Sequence, residues 1–426
     1  MIPRFKPAIG RAELLATMRA SAGAVPRFER AFARQFSASD GVAFAYGRSA
    51  LFALCKALAL EGAEVIMPAY TCSVVAHAVT LSGNTCRFVD ITLDDYNMDL
   101  GQVEAALNER TAIVAATHLF GFPLDVDRLA ALVRDAERRF GRRIVIVQDC
   151  AHAFGARWKG RMVAASADIA LFGLNISKVM TSIFGGMMTT SDAALAARLR
   201  AWRDEHVHQP SSLKALQRRA YLWAAAGAFT GPMYAAVQWL QHETPLLDSL
   251  AKAYHKDDVI ALPPDYLDAM LAVEAEVGLA QLARYPEIER QRVENARFYH
   301  DHLAAPTEWV LPPLVDGATY SHFPVRVPDR AAAMRAFLGA GIEAGEVIEY
   351  SVPHLTGYPA AGNPAAFPNS WLCSRHMINL PVHPGLSAHD RDRVVDRVAH
   401  QTSARSLARS IEAGCGDATA ASGRPV

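Results

Sequence analysis

Cysteine is scarce in this chain of 426 residues: there are 6, at Cys55, Cys72, Cys86, Cys150, Cys373 and Cys415, and no two form a CxxC pair. That scatter argues against a disulfide framework and a clustered zinc site, so no metal centre is expected, and it fits a reducing compartment. An excess of one charge is lacking too, since 43 Lys plus Arg balance 43 Asp plus Glu. No global field draws the chain to nucleic acid or to an acidic membrane, and any anionic ligand has to be met by a local cluster. The opening stretch, MIPRFKPAIG, has no apolar signal-peptide core, which predicts a cytoplasmic rather than a secreted protein. Internal repeats are absent.

What is present is an ordinary globular composition, 51% hydrophobic and 20% charged, on a chain too long for one core, so two domains are expected. Apolar strands are predicted at residues 42–45, 64–68, 86–90, 112–117, 143–148 and 169–172. Helices are predicted at 27–36, 50–60, 74–81, 99–107 and 127–140. Strands alternating with helices specify an α/β fold with a mostly parallel sheet covered on both faces, and such sheets bind ligands beyond the carboxyl ends of their strands. Gly47, Tyr70, His118, Asp149 and Lys178 all lie at or just past such ends. A long helix at 271–303, a strand at 325–327 and helices at 331–338 and 390–399 then read as a smaller α+β domain. The expected division is 1–290, 291–402 and a polar tail, 403–426, without fixed structure.

Three positions carry chemistry. Lys178 follows the buried strand at 169–172 and precedes a second apolar patch at Met187 and Met188. Desolvation there disfavours the ammonium and makes an amine nucleophilic, as a Schiff-base lysine requires; the alternative is a surface lysine in a loop. Asp149 closes the apolar run at 144–147 and precedes small residues that leave room for something flat. A carboxylate placed so can keep a pyridine nitrogen protonated, or it can simply cap a helix. The turn Gly47-Arg48-Ser49 joins a strand to a helix start, where backbone N–H groups, Ser49 and Arg48 could take a phosphate, or where Ser49 is only a cap.

Residues 207–261 read as an apolar helical insertion, and within it residues 220–240 form a run of 21 without a charge. Gly231-Pro232 divides the run into two pieces too short to span a bilayer. A helix pair over the active-site mouth or at a dimer interface, peripheral membrane contact and a true span are the three readings of this stretch.

Taken together, GRSAL (47–51), EVIMPAYTC (64–72), YNMD (96–99), THLFGFPLDVD (117–127), QDCAHAFGA (148–156), Ser177-Lys178, GGMMTTSD (185–192), HFPVRV (322–327) and NLPVHPGLS (379–387) resemble the DegT/DnrJ/StrS family of sugar aminotransferases. The resemblance implies an aspartate aminotransferase-like fold of type I with a seven-stranded sheet, and pyridoxal 5'-phosphate as cofactor. It implies that Lys178 binds the cofactor covalently and moves the reaction's proton, that Asp149 pairs with the ring nitrogen, and that His152 lies near the ring oxygen. It also implies that Cys72 lies against the ring face, that Ser177 flanks the lysine, and that Gly47, Arg48 and Ser49 hold the phosphate. His354 matches a histidine near the substrate, and His118 is carried as a further substrate candidate. The reaction implied is amino transfer, usually from glutamate, to a keto-sugar nucleotide for cell-surface polysaccharides or secondary metabolites, by a homodimer with active sites at its interface. Gly173 stands where the family often has a phosphate-binding Ser, and Leu267-Asp268-Ala269-Met270 stands for its Asn-Tyr-Arg-Met, so Arg48 is expected to supply what they lack. Other readings are a different pyridoxal-phosphate reaction on a non-sugar substrate and a non-catalytic regulatory or scaffold member.

Overall fold

The computed structural model describes residues 1–19, 21–230, 233–234, 259–358 and 363–401. Two short helices, α1 (Arg11–Ala16) and α2 (Ala24–Gln35), lead into the first strand. There follow β1 (Asp40–Phe44), α3 (Gly47–Ala57), β2 (Glu64–Pro68), α4 (Ser73–Leu81), β3 (Thr85–Val89), α5 (Leu100–Ala106), β4 (Thr111–Thr117), α6 (Val126–Phe140) and β5 (Val145–Asp149). A small hairpin of β6 (Arg157–Trp158) and β7 (Arg161–Met162) precedes β8 (Ile169–Gly173), β9 (Gly186–Thr190), α7 (Ala193–His206) and α8 (Ser212–Ala228). The helix expected at 50–60 begins three residues earlier, so Gly47, Arg48 and Ser49 form its first turn rather than a loop before it.

Seven strands make one sheet in the order β1-β9-β8-β5-β4-β2-β3. The pairs β2 with β3, β2 with β4, β4 with β5 and β5 with β8 are parallel, whereas β9 runs antiparallel to both β8 and β1. The reason lies in the connections. Helices α4, α5 and α6 carry the chain back on the way to β3, β4 and β5, and the 19 residues 150–168, with the small hairpin, carry it back to β8; β8 and β9 are joined only by residues 174–185, and this shorter link returns the chain in the opposite sense. Lys178 sits on that link, at the carboxyl end of β8.

Both faces of the sheet are covered, which is why its strands are apolar without alternation. Val65, Met67, Ile113, Ala115 and Val147 pack on one side with α3 and α4, and Ile66, Val114 and Ile146 on the other with α5 and α6. Each such Val, Ile or Met side chain contributes ~1.5–3 kcal/mol when fully buried.

Past the sheet, α9 (Ala272–His302) runs unbroken through residue 290, the expected domain boundary. Gly278 lets it approach α2: a Cβ there would lie 2.4 Å from the Phe28 ring. The C-terminal part adds β10 (Phe323–Arg326), α10 (Arg330–Gly339), α11 (Pro368–His376), β11 (Met377–Leu380) and a helix at 388–401, with β10 and β11 antiparallel. Its core also takes in Ile2, Tyr70, Ile91 and Phe120 from the first part of the chain. Among the described residues no helix is long and apolar enough to cross a membrane. Of the run at 220–240, residues 220–228 belong to α8, while 231–232 and 235–240 lie outside the described residues, as does all of the tail expected at 403–426.

Candidate active site

A cavity of about 290 Å³ opens at the carboxyl ends of the strands, and Gly47, Arg48, Cys72, Asp149, His152, Gly173, Ser177 and Lys178 all line it. Cys72 comes from the loop after β2, and three further loops bring the others together. The end of β1 feeds the N-terminal turn of α3, whose first N–H groups lack intrahelical partners and mark a positive helix end. The end of β5 supplies Asp149, and the link from β8 to β9 supplies Lys178. Gly186 keeps these parts close, since a Cβ there would fall 2.3 Å from the backbone of Tyr46.

Asp149 is buried, and its carboxylate accepts from Ala151 N at 3.1 Å and Thr117 Oγ1 at 3.4 Å. Burial pushes its pKa up, opposed by the Ala151 bond, the Lys178 charge and the Thr117 hydroxyl. The carboxylate thus lines the cavity with its charged form disfavoured by burial on balance, and a ring N–H would favour that form. Lys178 is half-buried; its backbone N–H bonds Asn175 O at 3.0 Å. Ser177 is exposed and bonds Asn175 Oδ1 at 2.7 Å, so it orders the turn before the lysine. His152 is half-buried with its Nδ1 enclosed, and it stays neutral, held well below the usual histidine range by desolvation and by the nearby Lys178. Its ring stacks near Phe120, centroids 6.5 Å apart, and Phe120 itself holds a left-handed backbone at φ 59°. Arg48 is buried, with its guanidinium 4.7 Å from the centre of the Tyr46 ring. At Gly173 a Cβ would meet Lys178 Cε at 3.4 Å and Ala151 Cβ at 3.8 Å, ordinary contacts.

Three candidates stand elsewhere. Ser49 is 1% exposed and does not line the cavity, because the second turn-facing side chain of α3 is turned into the core. His118 is fully buried, its Nε2 with Gln148 Oε1 at 2.8 Å and its Nδ1 accepting from Leu124 N at 3.0 Å. One ring nitrogen ties the end of β4 to β5 and the other holds the loop before α6, so both are occupied within the fold. His354 packs against Trp371 at 4.9 Å, outside the cavity lining.

The sequence reading missed the rim. Tyr46 OH donates to Asp265 at 2.8 Å and receives Arg218 Nη2 at 3.2 Å; Lys214 reaches Asp265 at 2.7 Å and Asp268 at 2.5 Å. Arg218 also meets Glu274 at 3.1 Å and lies 3.9 Å from the centre of the Phe184 ring. Helix α8, the start of the apolar insertion, is thereby tied to the cavity's edge. Asp268 is committed to Lys214, and Leu267 packs beside the core under α3. Ile183, on the link between β8 and β9, carries φ 76°, an unusual backbone for a β-branched residue.

The sequence pattern of the DegT/DnrJ/EryC1/StrS aminotransferase family matches residues 13–220 and 258–399. The chain belongs to that family. Family members use pyridoxal 5'-phosphate, and the buried carboxylate, lysine and helix N-terminus around this cavity fit that cofactor. Among relatives, the GDP-perosamine synthase of Escherichia coli O157:H7 is 31% identical over 175 residues, which is 41% of this chain but only 46% of that protein. The spore coat polysaccharide biosynthesis protein SpsC of Bacillus subtilis is 25% identical over 385 residues, 88% of each chain. In fold, the sugar aminotransferase CalS13 of Micromonospora echinospora superposes with a TM-score of 0.75 at 22% identity, over 93% of this chain and 99% of that one.

Proposed function

We propose that this family member moves an amino group, with glutamate as donor, to a keto-sugar carried on a nucleotide, in the making of a cell-surface polysaccharide or a sugar-bearing secondary metabolite. The observation that carries the reading is the pairing of Asp149 and Lys178 across one cavity at the carboxyl end of the sheet. When bound, pyridoxal phosphate supplies an electron sink for the carbon that loses its proton. Asp149 would hold the proton on the ring nitrogen, a task suited to a buried carboxylate that lines the cavity. Lys178 Nζ would first hold the cofactor and then carry the proton between the two carbons that exchange it. Arg48 and the first turn of α3 would take the phosphate, and Cys72 and His152 would flank the ring. The relatives named for polysaccharide and perosamine synthesis support a nucleotide sugar as acceptor. A homodimer with its active sites at the interface is part of the same proposal, and light scattering at twice the monomer mass would support it.

The test is spectroscopic. Purified chain with cofactor should absorb near the edge of the visible, the band should shift on adding glutamate, and Lys178→Ala should abolish both. A colourless protein that takes up no cofactor would count for a scaffold instead. Incubation with a panel of keto-sugar nucleotides then names the acceptor.

A further inference from the structure

A second, smaller cavity of about 30 Å³ shares Ala151, His152, Ser177 and Lys178 with the main one. Its remaining walls bring in Arg4, Arg292, Ser321, His322, Asn379 and His383, from the two ends of the chain. None of its lining residues is Asp or Glu.

The cations here are unevenly partnered. Arg4 is paired with Glu343 at 3.5 Å. Arg292 is only 3% exposed; its Nη1 donates to Ser321 O at 3.0 Å, its Nε has no partner, and among the described residues no carboxylate pairs with it. A guanidinium buried without a counter-ion is costly, and such a cost is tolerated where a ligand supplies the missing charge. Around it stand hydrogen-bonding groups with capacity to spare. The His152 and His322 rings are 4.7 Å apart, His322 Nδ1 meets Ser321 Oγ at 2.9 Å, and the Nδ1 atoms of His152 and His383 are buried without partners. Burial and the neighbouring cations push His322 and His383 down to about 3, in His383 against the opposing Pro3 carbonyl and Asp390 carboxylate, so both are neutral at pH 7.

Size narrows the ligand. The volume is that of roughly two water molecules, which suits the two oxygens of a carboxylate and falls short of a phosphate or a sugar. Position narrows it further. Lys178 lines both spaces, so a small molecule whose nitrogen stands where the lysine amine stands, with a carboxylate two bonds away, can reach both.

We propose that this pocket takes the carboxylate of the amino donor, with Arg292 as its counter-ion. The proposal rests on the aminotransferase reading above. Cofactor-loaded wild type, Arg292→Met and Arg292→Lys are compared in three measurements: calorimetric binding of succinate, a carboxylate that cannot give up an amine; the single-turnover reaction with glutamate; and the single-turnover reaction of the aminated enzyme with its keto-sugar nucleotide. Arg292→Met should weaken succinate binding and raise the half-saturating glutamate by about 30-fold, the loss expected for one charge-assisted contact. Arg292→Lys should lose less, and the keto-sugar reaction should stay within about twofold in both, as a ligand contact confined to the donor predicts. If Arg292→Met does not fold, Arg292→Lys decides on the same readouts. Wild-type succinate binding that is undetectable, variants that match wild type with succinate and glutamate, or an equal loss in the keto-sugar reaction would each overturn the site. Wild type that reacts with glutamate beside unaffected variants removes this site and leaves the function standing. Arg292-dependent succinate binding without any reaction with glutamate does the reverse.

Discussion

Arg48 and Gly173 both line the cavity, and under the proposed function they bear on how the cofactor phosphate would be held. A charged fork at the N-terminal turn of α3 can compensate for a hydroxyl absent at Gly173. Arg48→Ala should therefore weaken cofactor binding about tenfold or more, measured by titrating the stripped protein. Gly173→Ser has room for its Cβ; it should tighten binding and, in the Arg48→Ala background, recover part of the loss. Unchanged affinity in Arg48→Ala would show that Arg48 does not hold the phosphate. His118 illustrates a different residue-level effect. Burial lowers its pKa from 6.5 to about 4, so it is neutral in the fold and gains its proton chiefly on unfolding. Its contribution is complete above pH 6.5 and is lost as pH falls toward 4, by about 3 kcal/mol. Urea midpoints across that range should fall in wild type and fall less in His118→Gln.

Elements place these residues by constraint rather than by preference. The short link from β8 to β9 forces an antiparallel strand into a parallel sheet and leaves Lys178 at the carboxyl edge, opposite Asp149 at the end of β5. The three loops can converge only because the backbones approach closely at Gly186 and Tyr46. The crossing of α2 and α9 depends on a similar approach. At Gly278 an added Cβ meets the Phe28 ring, which is fully buried and packed against Phe32 at 5.6 Å between centroids. Gly278→Ala should destabilise the fold by about 1–2 kcal/mol despite the ~1 kcal/mol that alanine gains in helix propensity. A urea midpoint that rises would mean the helices separate without cost. Helix α8 acts on the site through charge: Lys214 and Arg218 hold Asp265 against Tyr46, a set of partners spread over more than 200 residues of sequence.

At the scale of the whole molecule, the C-terminal core shares Ile2, Tyr70, Ile91 and Phe120 with the first part of the chain, and α9 runs through both parts without a break. Contacts of this kind couple the two parts, so far-UV circular dichroism and tryptophan fluorescence should report one coincident urea transition, moved to higher urea by added cofactor. Two separated transitions would show that the parts fold independently. The sequence by itself determined the alternation of strands and helices, because periodicity and apolar runs are local properties set by which faces must be buried. It also placed Asp149 and Lys178 at the carboxyl ends of strands, because the burial of those strands is written in the apolar runs before them. The tertiary structure alone decided which side chains share a space. It turned Ser49 and His118 into the core, since the direction of a side chain depends on the helix start and on partners such as Gln148, far away in the chain. It brought Tyr46 to Asp265, and Arg292 to His322 and Lys178, because an ion pair, or the lack of one, is a matter of distance between residues that no local pattern connects.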